Sequence, residues 1–285
     1  MTDASYQVDN HVDLSEYLER IGYDGPTGPS EELLHGLVAA HGRTIAFETL
    51  DPLLGVPVDD LGPAVLFDKL VGRRRGGYCY EHNGLVGYVL EAMGFGVDRL
   101  AGRVVWMLAP DAPLPAMTHN VLAVTVPDED ERFLVDVGFG GQTLSSPIRL
   151  VPGRVQATRH EPYRIVDRGD ELVLEAEVRE QWQPLYAFTT IPRPRIDLEV
   201  GSWYVSTHPA SSFVTGLSAA LVTDDARYNL RGRNFSIHRK DGSEKIRLDT
   251  AAEVLDVLAE RFAIDLDDLG DRSVVETRVA QVLDA

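Results

Sequence analysis

A glycine turn that leads into a helix carries the only cysteine of this 285-residue chain. Cys79 follows the pair Gly76-Gly77, and the residues behind it repeat apolar side chains with the period of an α-helix, at Val86, Leu90 and Met93. Gly94 can end that helix. The sequence therefore predicts that Cys79 lies in the first helical turn. Because the free N–H groups and the dipole of a helix N-terminus attract negative charge, such a position favours thiolate over thiol.

A lone cysteine at this position allows two interpretations. Its thiolate could be the nucleophile of an enzyme, or its side chain could be a small buried hydrophobic group, as in most free cysteines. A single cysteine leaves no internal disulfide framework and is typical of a reducing compartment. Residues 1–5 show neither the basic region nor the apolar run of a secretory signal. We therefore expect a cytoplasmic protein.

Composition and charge argue against several classes of partner. The net charge of −18 repels phosphate backbones, so no nucleic-acid partner is expected. No apolar run approaches the ~20 residues that span a bilayer, so no membrane partner is expected either. The acidic turn at 128–131 lacks the spaced ligands and the glycine pivot of a cation loop, and no metal site is predicted. The chain length exceeds a usual single core and predicts two or three subdomains.

Helical patterns dominate the first third of the chain. Before Gly22, apolar residues repeat with a helical period at Leu14, Tyr17, Leu18 and Ile21. Ser30 can cap a second helix with an acidic first turn. Gly62-Pro63 can open a short helix that leads to the cysteine turn. We expect residues 1–94 to form a helical bundle that carries the nucleophile.

After Gly94 the period changes from helical to extended. Short apolar runs separated by turns predict strands near 97–106, 121–126, 133–137, 163–166, 172–178 and 185–188. This alternation favours an antiparallel sheet or barrel over residues 95–200. Pro192, Pro194 and Gly201 then interrupt the pattern and mark a second boundary.

Residues 201–285 mix strands with helices. Asp241-Gly242 is a favoured hairpin dipeptide and joins two predicted strands, 234–238 and 244–248. Thr250 begins a capping-box pattern ahead of a helix.

A cysteine nucleophile needs a base, and the base needs a group that orients it. His119 enters the strand at 121–126, and Asp136 interrupts an apolar strand, where an unpaired carboxylate would be costly to bury. Neighbouring strands could bring Asp136 beside His119 and leave the second imidazole nitrogen to Cys79. Taken singly, His119 could be a polar strand end and Asp136 a turn residue beside glycine, so spacing alone leaves both interpretations open.

The run Arg75-Gly76-Gly77-Tyr78-Cys79-Tyr80-Glu81-His82-Asn83 resembles the signature of the arylamine N-acetyltransferases. His119 and the strand end Asp136-Val137-Gly138-Phe139-Gly140 resemble the downstream elements of that family. Ala46-Phe47-Glu48-Thr49-Leu50 resembles its Pro-Phe-Glu-Asn segment. The resemblance covers essentially the whole chain and is greatest to actinobacterial, mycobacterial-type members.

This resemblance implies an α+β fold with a helical bundle (1–94), an antiparallel β-barrel (95–200) and an α/β lid (201–285), around a catalytic core of cysteine-protease or transglutaminase type. It implies Cys79 as nucleophile, His119 as base and Asp136 as orienting group, with acetyl-CoA as acyl donor and an arylamine or hydrazine as acceptor in xenobiotic metabolism. It places donor contacts at Thr118, Gly138, Phe139 and Gly140, and acceptor contacts at Phe47, Val104, Phe139 and Phe213. A homodimer is left open.

The sequence departs from the family pattern at two positions. Ala46 stands where the family usually has proline, and Thr49 where it usually has asparagine. These changes put in doubt the shape of the loop that lines the acceptor pocket, but not the triad. Three other functions remain open: an amide synthase of a polyketide pathway, a cysteine hydrolase of transglutaminase-like type, and a binding module without catalysis.

Overall fold

The computed structural model describes residues 12–109 and 111–284. Residues 1–5, in which the sequence shows no secretory signal, lie outside the described residues. So do Pro110 and Ala285, which fall within the predicted second and third subdomains. In the described part of the chain, no helix is both long and apolar enough to cross a membrane.

The four helices predicted in the first third are present, together with one short helix of four residues that was not predicted. They are α1 (Leu14–Ile21), α2 (Glu31–Thr44), α3 (Leu50–Leu53), α4 (Pro63–Phe67) and α5 (Cys79–Ala92). Gly22 ends α1 in the left-handed conformation with φ 64°, and Ser30 caps α2 by accepting a hydrogen bond from the Leu33 N–H. A π-turn at Asp68–Gly72 extends α4 toward the cysteine turn.

An eight-stranded antiparallel sheet follows the helices. Its strands are β2 (Gly96–Val104), β3 (His119–Thr125), β4 (Phe133–Val135), β5 (Ile148–Arg149), β6 (Val155–Gln156), β7 (Tyr163–Asp167), β8 (Leu172–Val178) and β9 (Gln181–Phe188), in the order β5-β4-β3-β2-β9-β8-β7-β6. The two edge strands, β5 and β6, are consecutive in sequence. The Gln156 side chain hydrogen-bonds both the N–H and the C=O of Arg149 across them. The sheet therefore curls into a barrel, as predicted.

A second antiparallel sheet joins the beginning of the chain to its end. It has the order β1-β10-β11-β12-β13, with β1 (Phe47–Glu48), β10 (Ser218–Val222), β11 (Ala226–Arg231), β12 (Asn234–Arg239) and β13 (Gly242–Arg247). Phe47 pairs with Ala220 in this sheet. The helices α8 (Ala251–Phe262) and α9 (Arg272–Leu283) pack on it, and Thr250 caps α8 as predicted.

Three local features differ from the sequence prediction. Gly201 lies inside a helix, α6 (Arg195–Thr207), which is followed by the short α7 (Ser212–Thr215). The sequence did not predict the short elements α3, β1, β5, β6 and β10 either. The β12–β13 hairpin turns one residue earlier than expected, because Gly242 already pairs with Arg239. Gly201 suggested a break between elements because a glycine inside a helix costs about 1 kcal/mol relative to alanine.

Candidate active site

Cys79 is the first residue of α5, as predicted. The Glu81 carboxylate accepts a hydrogen bond of 3.0 Å from the Tyr78 N–H and so fixes where the helix starts. The Cys79 side chain is nearly buried, with 5% of its residue surface exposed, and its Sγ lies 3.7 Å from the carbonyl oxygen of Thr118. The thiol is therefore held between the helix N-terminus and the strand that begins at His119.

His119 and Asp136 come together because β3 and β4 are antiparallel neighbours. Leu122 lies opposite Val135 in the register, so the start of β3 lies beside the residue that follows β4. The Nε2 atom of His119 is 2.7 Å from Oδ2 of Asp136, and both side chains are buried. This contact leaves Nδ1 of the imidazole available to Cys79.

The electrostatics of this pair favour a charged imidazole. Burial alone lowers the pKa of His119, but the negative charge of Asp136, the neighbouring Cys79 and the hydrogen bonds to both outweigh it and raise the pKa to about 10. Burial likewise raises the pKa of Asp136, yet the His119 charge and the hydrogen bonds that the carboxylate accepts bring it below its usual value. At neutral pH His119 is thus an imidazolium beside an ionised Asp136.

Gly138 allows the strand end to approach the nucleophile. A Cβ atom at this position would lie 2.6 Å from the Cα of Cys79, a distance that packed side chains do not reach. The residue is therefore glycine for a steric reason, in addition to any contact with a ligand. Gly140, two positions further on, has φ 92° and faces the ring of Phe47.

Asn83, four residues after Cys79 on α5, joins the helix to Asp136, the residue that follows β4. Its Nδ2 donates to Asp136 Oδ1 at 2.9 Å and to the Asn120 carbonyl at 2.7 Å. Its Oδ1 accepts from the Val137 N–H at 2.9 Å. Sequence reasoning quoted Asn83 as part of the signature but gave it no role. Its position one helical turn after the cysteine was the available signal.

A cavity of about 960 Å³ opens above the thiol. It brings together Cys79 and His119 with every predicted donor and acceptor residue: Phe47, Val104, Thr118, Gly138, Phe139, Gly140 and Phe213. Asp136 lies behind His119 and is fully buried. Among residues 12–109 and 111–284, no cluster of three or more His, Cys, Asp or Glu side chains is arranged to hold a metal ion.

Aromatic rings enclose the imidazole and line the cavity. The ring centroids of Tyr186 and Phe139 lie 4.6 and 5.3 Å from that of His119. Phe213 contacts Phe47 and Tyr78 edge to face, at 5.8 and 5.4 Å. Tyr186 was not predicted as a site residue, because within its strand it has the pattern of an ordinary core position.

Comparison with known proteins agrees with this geometry. The family model for N-acetyltransferases matches residues 31–270. The arylamine N-acetyltransferase of Mycolicibacterium smegmatis is 68% identical over 273 residues, which make up 96% of this chain and 99% of the relative. The chain belongs to the arylamine N-acetyltransferase family. It is therefore an enzyme of the acyltransferase class, and the resemblance noted in the sequence is confirmed.

Solved structures of arylamine N-acetyltransferases share the whole fold. The M. smegmatis structure has a TM-score of 0.94 at 67% identity and covers 96% of this chain and 100% of its own. The structure of the Mycobacterium marinum enzyme in complex with CoA has a TM-score of 0.93 at 61% identity, with 95% and 99% coverage. The predicted α+β fold class is confirmed.

The two departures from the arylamine N-acetyltransferase pattern directly flank β1, the strand that pairs with β10 in the second sheet. The Thr49 hydroxyl accepts a hydrogen bond of 3.0 Å from the Ser218 N–H and so attaches the segment to β10. The carbonyl of Ala46 accepts hydrogen bonds from the His82 ring at 3.1 Å and from the Gly77 N–H at 3.3 Å. Thr49 thus holds the loop through its side chain, and Ala46 holds it through its backbone carbonyl.

A buried set of charges supports the turn before Cys79. Arg75 lies 2.7 Å from Glu48, and Lys69 lies 2.5 Å from Glu81, which also fixes the start of α5. Asp51 accepts from both cations. Because these charges are nearly all removed from water, each depends on its partners.

Proposed function

We propose that the protein transfers an acetyl group from acetyl-CoA to the nitrogen of an arylamine or arylhydrazine through an acetyl-cysteine at Cys79. The observation that carries this proposal is the charged His119–Asp136 pair beside the thiol, at the base of a cavity in a member of this family. The M. marinum relative in complex with CoA supports CoA as the carrier of the acyl group.

In the first half-reaction, the Cys79 thiolate attacks the thioester carbonyl of acetyl-CoA. A bond forms between Sγ and the acetyl carbon, and the bond from that carbon to the CoA sulfur breaks. The CoA thiolate takes the proton of the His119 imidazolium and leaves as the thiol. The enzyme then holds an acetyl-cysteine beside a neutral imidazole.

In the second half-reaction, the amine nitrogen attacks the acetyl carbon of the acetyl-cysteine. The bond from that carbon to Sγ breaks, and His119 takes the proton that the amine nitrogen loses. The site returns to the thiolate–imidazolium pair, held by Asp136. Since one product leaves before the second substrate reacts, the kinetics are ping-pong.

The cavity walls divide between the two substrates in this proposal. Thr118 and Gly138 to Gly140 contact the acyl donor, and the apolar residues Phe47, Val104, Phe139 and Phe213 contact the ring of the acceptor. Support comes from their common position around Cys79 and from the aromatic surface that Phe47 and Phe213 present. An aryl ring packs well against such a surface.

Intact-mass analysis tests the function. After incubation with acetyl-CoA, we expect one acetyl group on Cys79, located by peptide mapping and removed on addition of aniline with formation of acetanilide. The Cys79→Ser variant is the control and acquires no comparable adduct. Release of free acetate at a rate that aniline does not change would instead indicate a hydrolase. An adduct that only a tethered polyketide discharges would indicate an amide synthase.

The compartment and the oligomeric state belong to the same proposal. Cys79 is a free thiol and must stay reduced to act, so we propose the cytoplasm as its site of action. Detection of the protein only outside the cell would refute this. Homodimer formation stays a prediction, and light scattering on the purified protein would decide it.

A further inference from the structure

Three buried side chains form a continuous hydrogen-bonded chain that the proposed reaction does not use. Tyr17 Oη lies 2.9 Å from His41 Nδ1, and His41 Nε2 lies 2.8 Å from His82 Nδ1. His82 Nε2 lies 3.1 Å from the carbonyl oxygen of Ala46. All three side chains are fully buried, and they come from α1, α2 and α5. We call Tyr17, His41 and His82 the histidine relay.

The carbonyl at the end of the relay sets the direction of every hydrogen bond in it. A carbonyl oxygen only accepts, so Nε2 of His82 carries the proton and Nδ1 of His82 must accept. His41 therefore donates from Nε2 and accepts at Nδ1, and the Tyr17 hydroxyl donates to it. Two neutral rings and one hydroxyl satisfy one another in a single arrangement.

Neutral histidines are what this environment favours. Burial lowers the pKa of His41 well below its usual value, helped by the nearby His82 and the charge of Arg20. Burial also lowers the pKa of His82 to about 4, against the opposing effects of the Ala46 and Gly77 carbonyls and Glu48, and with a further lowering by Lys69. The arrangement thus persists across the neutral range.

The relay ends beside a wall of the cavity. Ala46 directly precedes Phe47, whose ring contacts Phe213 and faces Gly140. The same carbonyl accepts the Gly77 N–H, and the Gly77 carbonyl accepts the Glu48 N–H at 2.8 Å. The position of the Phe47 backbone is thus joined to the turn that presents Cys79. The relay holds this junction, and none of its three side chains lines the cavity.

We propose that His82, oriented by His41 and Tyr17, is a positioning residue that holds the Ala46 carbonyl and thereby sets the Phe47 wall against the acceptor amine. The inference rests on the proposed function, and it concerns the second half-reaction only. It also assigns a physical role to the backbone of Ala46, where the family usually has proline. The hydrogen bond from His82 to Ala46 is the step that matters.

Two amide variants of His82 separate this role from simple core stability. In His82→Gln, the amide nitrogen can occupy the place of Nε2 and still donate to Ala46. In His82→Asn, the shorter amide reaches only the place of Nδ1, so acceptance from His41 is kept and donation to Ala46 is lost. Both replace a buried ring with a polar amide, so we expect similar losses of thermal stability.

The two half-reactions are measured separately with acetyl-CoA and aniline. The burst of CoA released without amine should stay within about twofold of wild type in both variants. In steady state, we expect His82→Asn to raise the KM for aniline about tenfold, the size of effect that one lost buried hydrogen bond produces, and His82→Gln to stay within about threefold. If a His82 variant does not accumulate, Tyr17→Phe should raise the same KM by a smaller factor.

The outcomes are distinguishable. A wild-type protein that releases no CoA from acetyl-CoA overturns the proposed function and the role of the relay with it. A normal burst together with equal KM values for aniline in wild type, His82→Asn and Tyr17→Phe overturns the role of the relay alone. Equal increases of KM in the Asn and Gln variants would also overturn it, because donation to Ala46 would then not be the cause.

Discussion

At the level of single residues, the carboxylate of Asp136 sets the charge of His119, the base. Asp136 accepts hydrogen bonds from His119, from Asn83 and from the Gly138 N–H, at 2.7, 2.9 and 3.0 Å. These three donors keep the carboxylate ionised although it is fully buried. Its charge in turn keeps the proton on His119.

Replacing Asp136 by asparagine should therefore remove the positive charge from His119 at neutral pH. Without the carboxylate, burial dominates, and we expect the pKa of His119 to fall from about 10 toward or below its ordinary value of 6.5. Turnover should fall about 10⁴-fold, as for other orienting carboxylates in triads. NMR titration of the imidazole and single-turnover CoA release measure the two effects. An unchanged titration curve would contradict this account of the pKa.

Asn83 should matter for both stability and rate. In Asn83→Ala, the Val137 N–H and the Asn120 carbonyl lose their partner in a buried place, and Asp136 loses one donor. We expect the free energy of unfolding to fall by about 1–3 kcal/mol. We also expect kcat to fall between about 10-fold and 100-fold, since Asp136 is less well held. Urea denaturation and steady-state kinetics provide the measurements, and an unchanged kcat would show that Asn83 is structural only.

At the level of elements, α6 contains Gly201 although glycine has a low helix propensity. An ideal Cβ at Gly201 would lie 2.2 Å from the hydroxyl oxygen of Tyr80, which is buried and packs edge to face against Tyr78. The close approach of α6 to the start of α5 therefore requires glycine. The same α6 holds Ser202, whose hydroxyl lies 2.8 Å from that of Tyr78.

Two glycine-to-alanine changes in helices should have opposite signs. Gly201→Ala forces Tyr80 or α6 to move, and we expect a loss of about 1–3 kcal/mol in the free energy of unfolding. Gly42→Ala in α2 is the matched control, because a Cβ there has no neighbour within 4 Å. It should stabilise the protein by up to about 1 kcal/mol through helix propensity. Thermal and urea unfolding of both variants test the pair, and a neutral Gly201→Ala would contradict the packing argument.

For the whole molecule, buried charges join parts of the chain that are far apart in sequence. Arg75 binds Glu48 and Asp51 and reaches Asp268 near the C-terminus at 3.4 Å. Lys69 binds Glu81 on the helix of the nucleophile. The predicted division into residues 1–94, 95–200 and 201–285 stays a prediction. Strand β1 and these charges connect its first and last parts.

Removing one of these buried charges should lower the free energy of unfolding far more than removing an exposed charge. In Lys69→Met, the buried carboxylate of Glu81 loses its cation, and we expect the free energy of unfolding to fall by about 3–5 kcal/mol. Arg73→Met is the control. The Arg73 side chain is 41% exposed in its ion pairs with Asp68 and Asp268, so the change should stay within about 1 kcal/mol. Similar urea midpoints for the two variants would contradict the expectation that the buried charge contributes more to stability than the exposed one.

The sequence by itself determined the local elements. Caps such as Ser30, the glycine stop at Gly22 and the change of period after Gly94 are properties of neighbouring residues, so they predict helix and strand positions without tertiary contacts. The position of Cys79 at the start of α5 follows in the same way. The pairing of His119 with Asp136 was suggested by spacing, but only strand register brought their atoms to 2.7 Å.

Only the tertiary structure decided what depends on distant contacts. Gly201 disrupts a pattern when it is considered alone and permits close packing when it faces Tyr80. The roles of Asn83, Tyr186 and the histidine relay arise from partners up to 54 positions away for Asn83 and 41 for His41, and no local pattern records such partners. The physical reason is that burial and hydrogen-bond geometry depend on which elements meet, whereas caps and periodicity depend on which residues are adjacent.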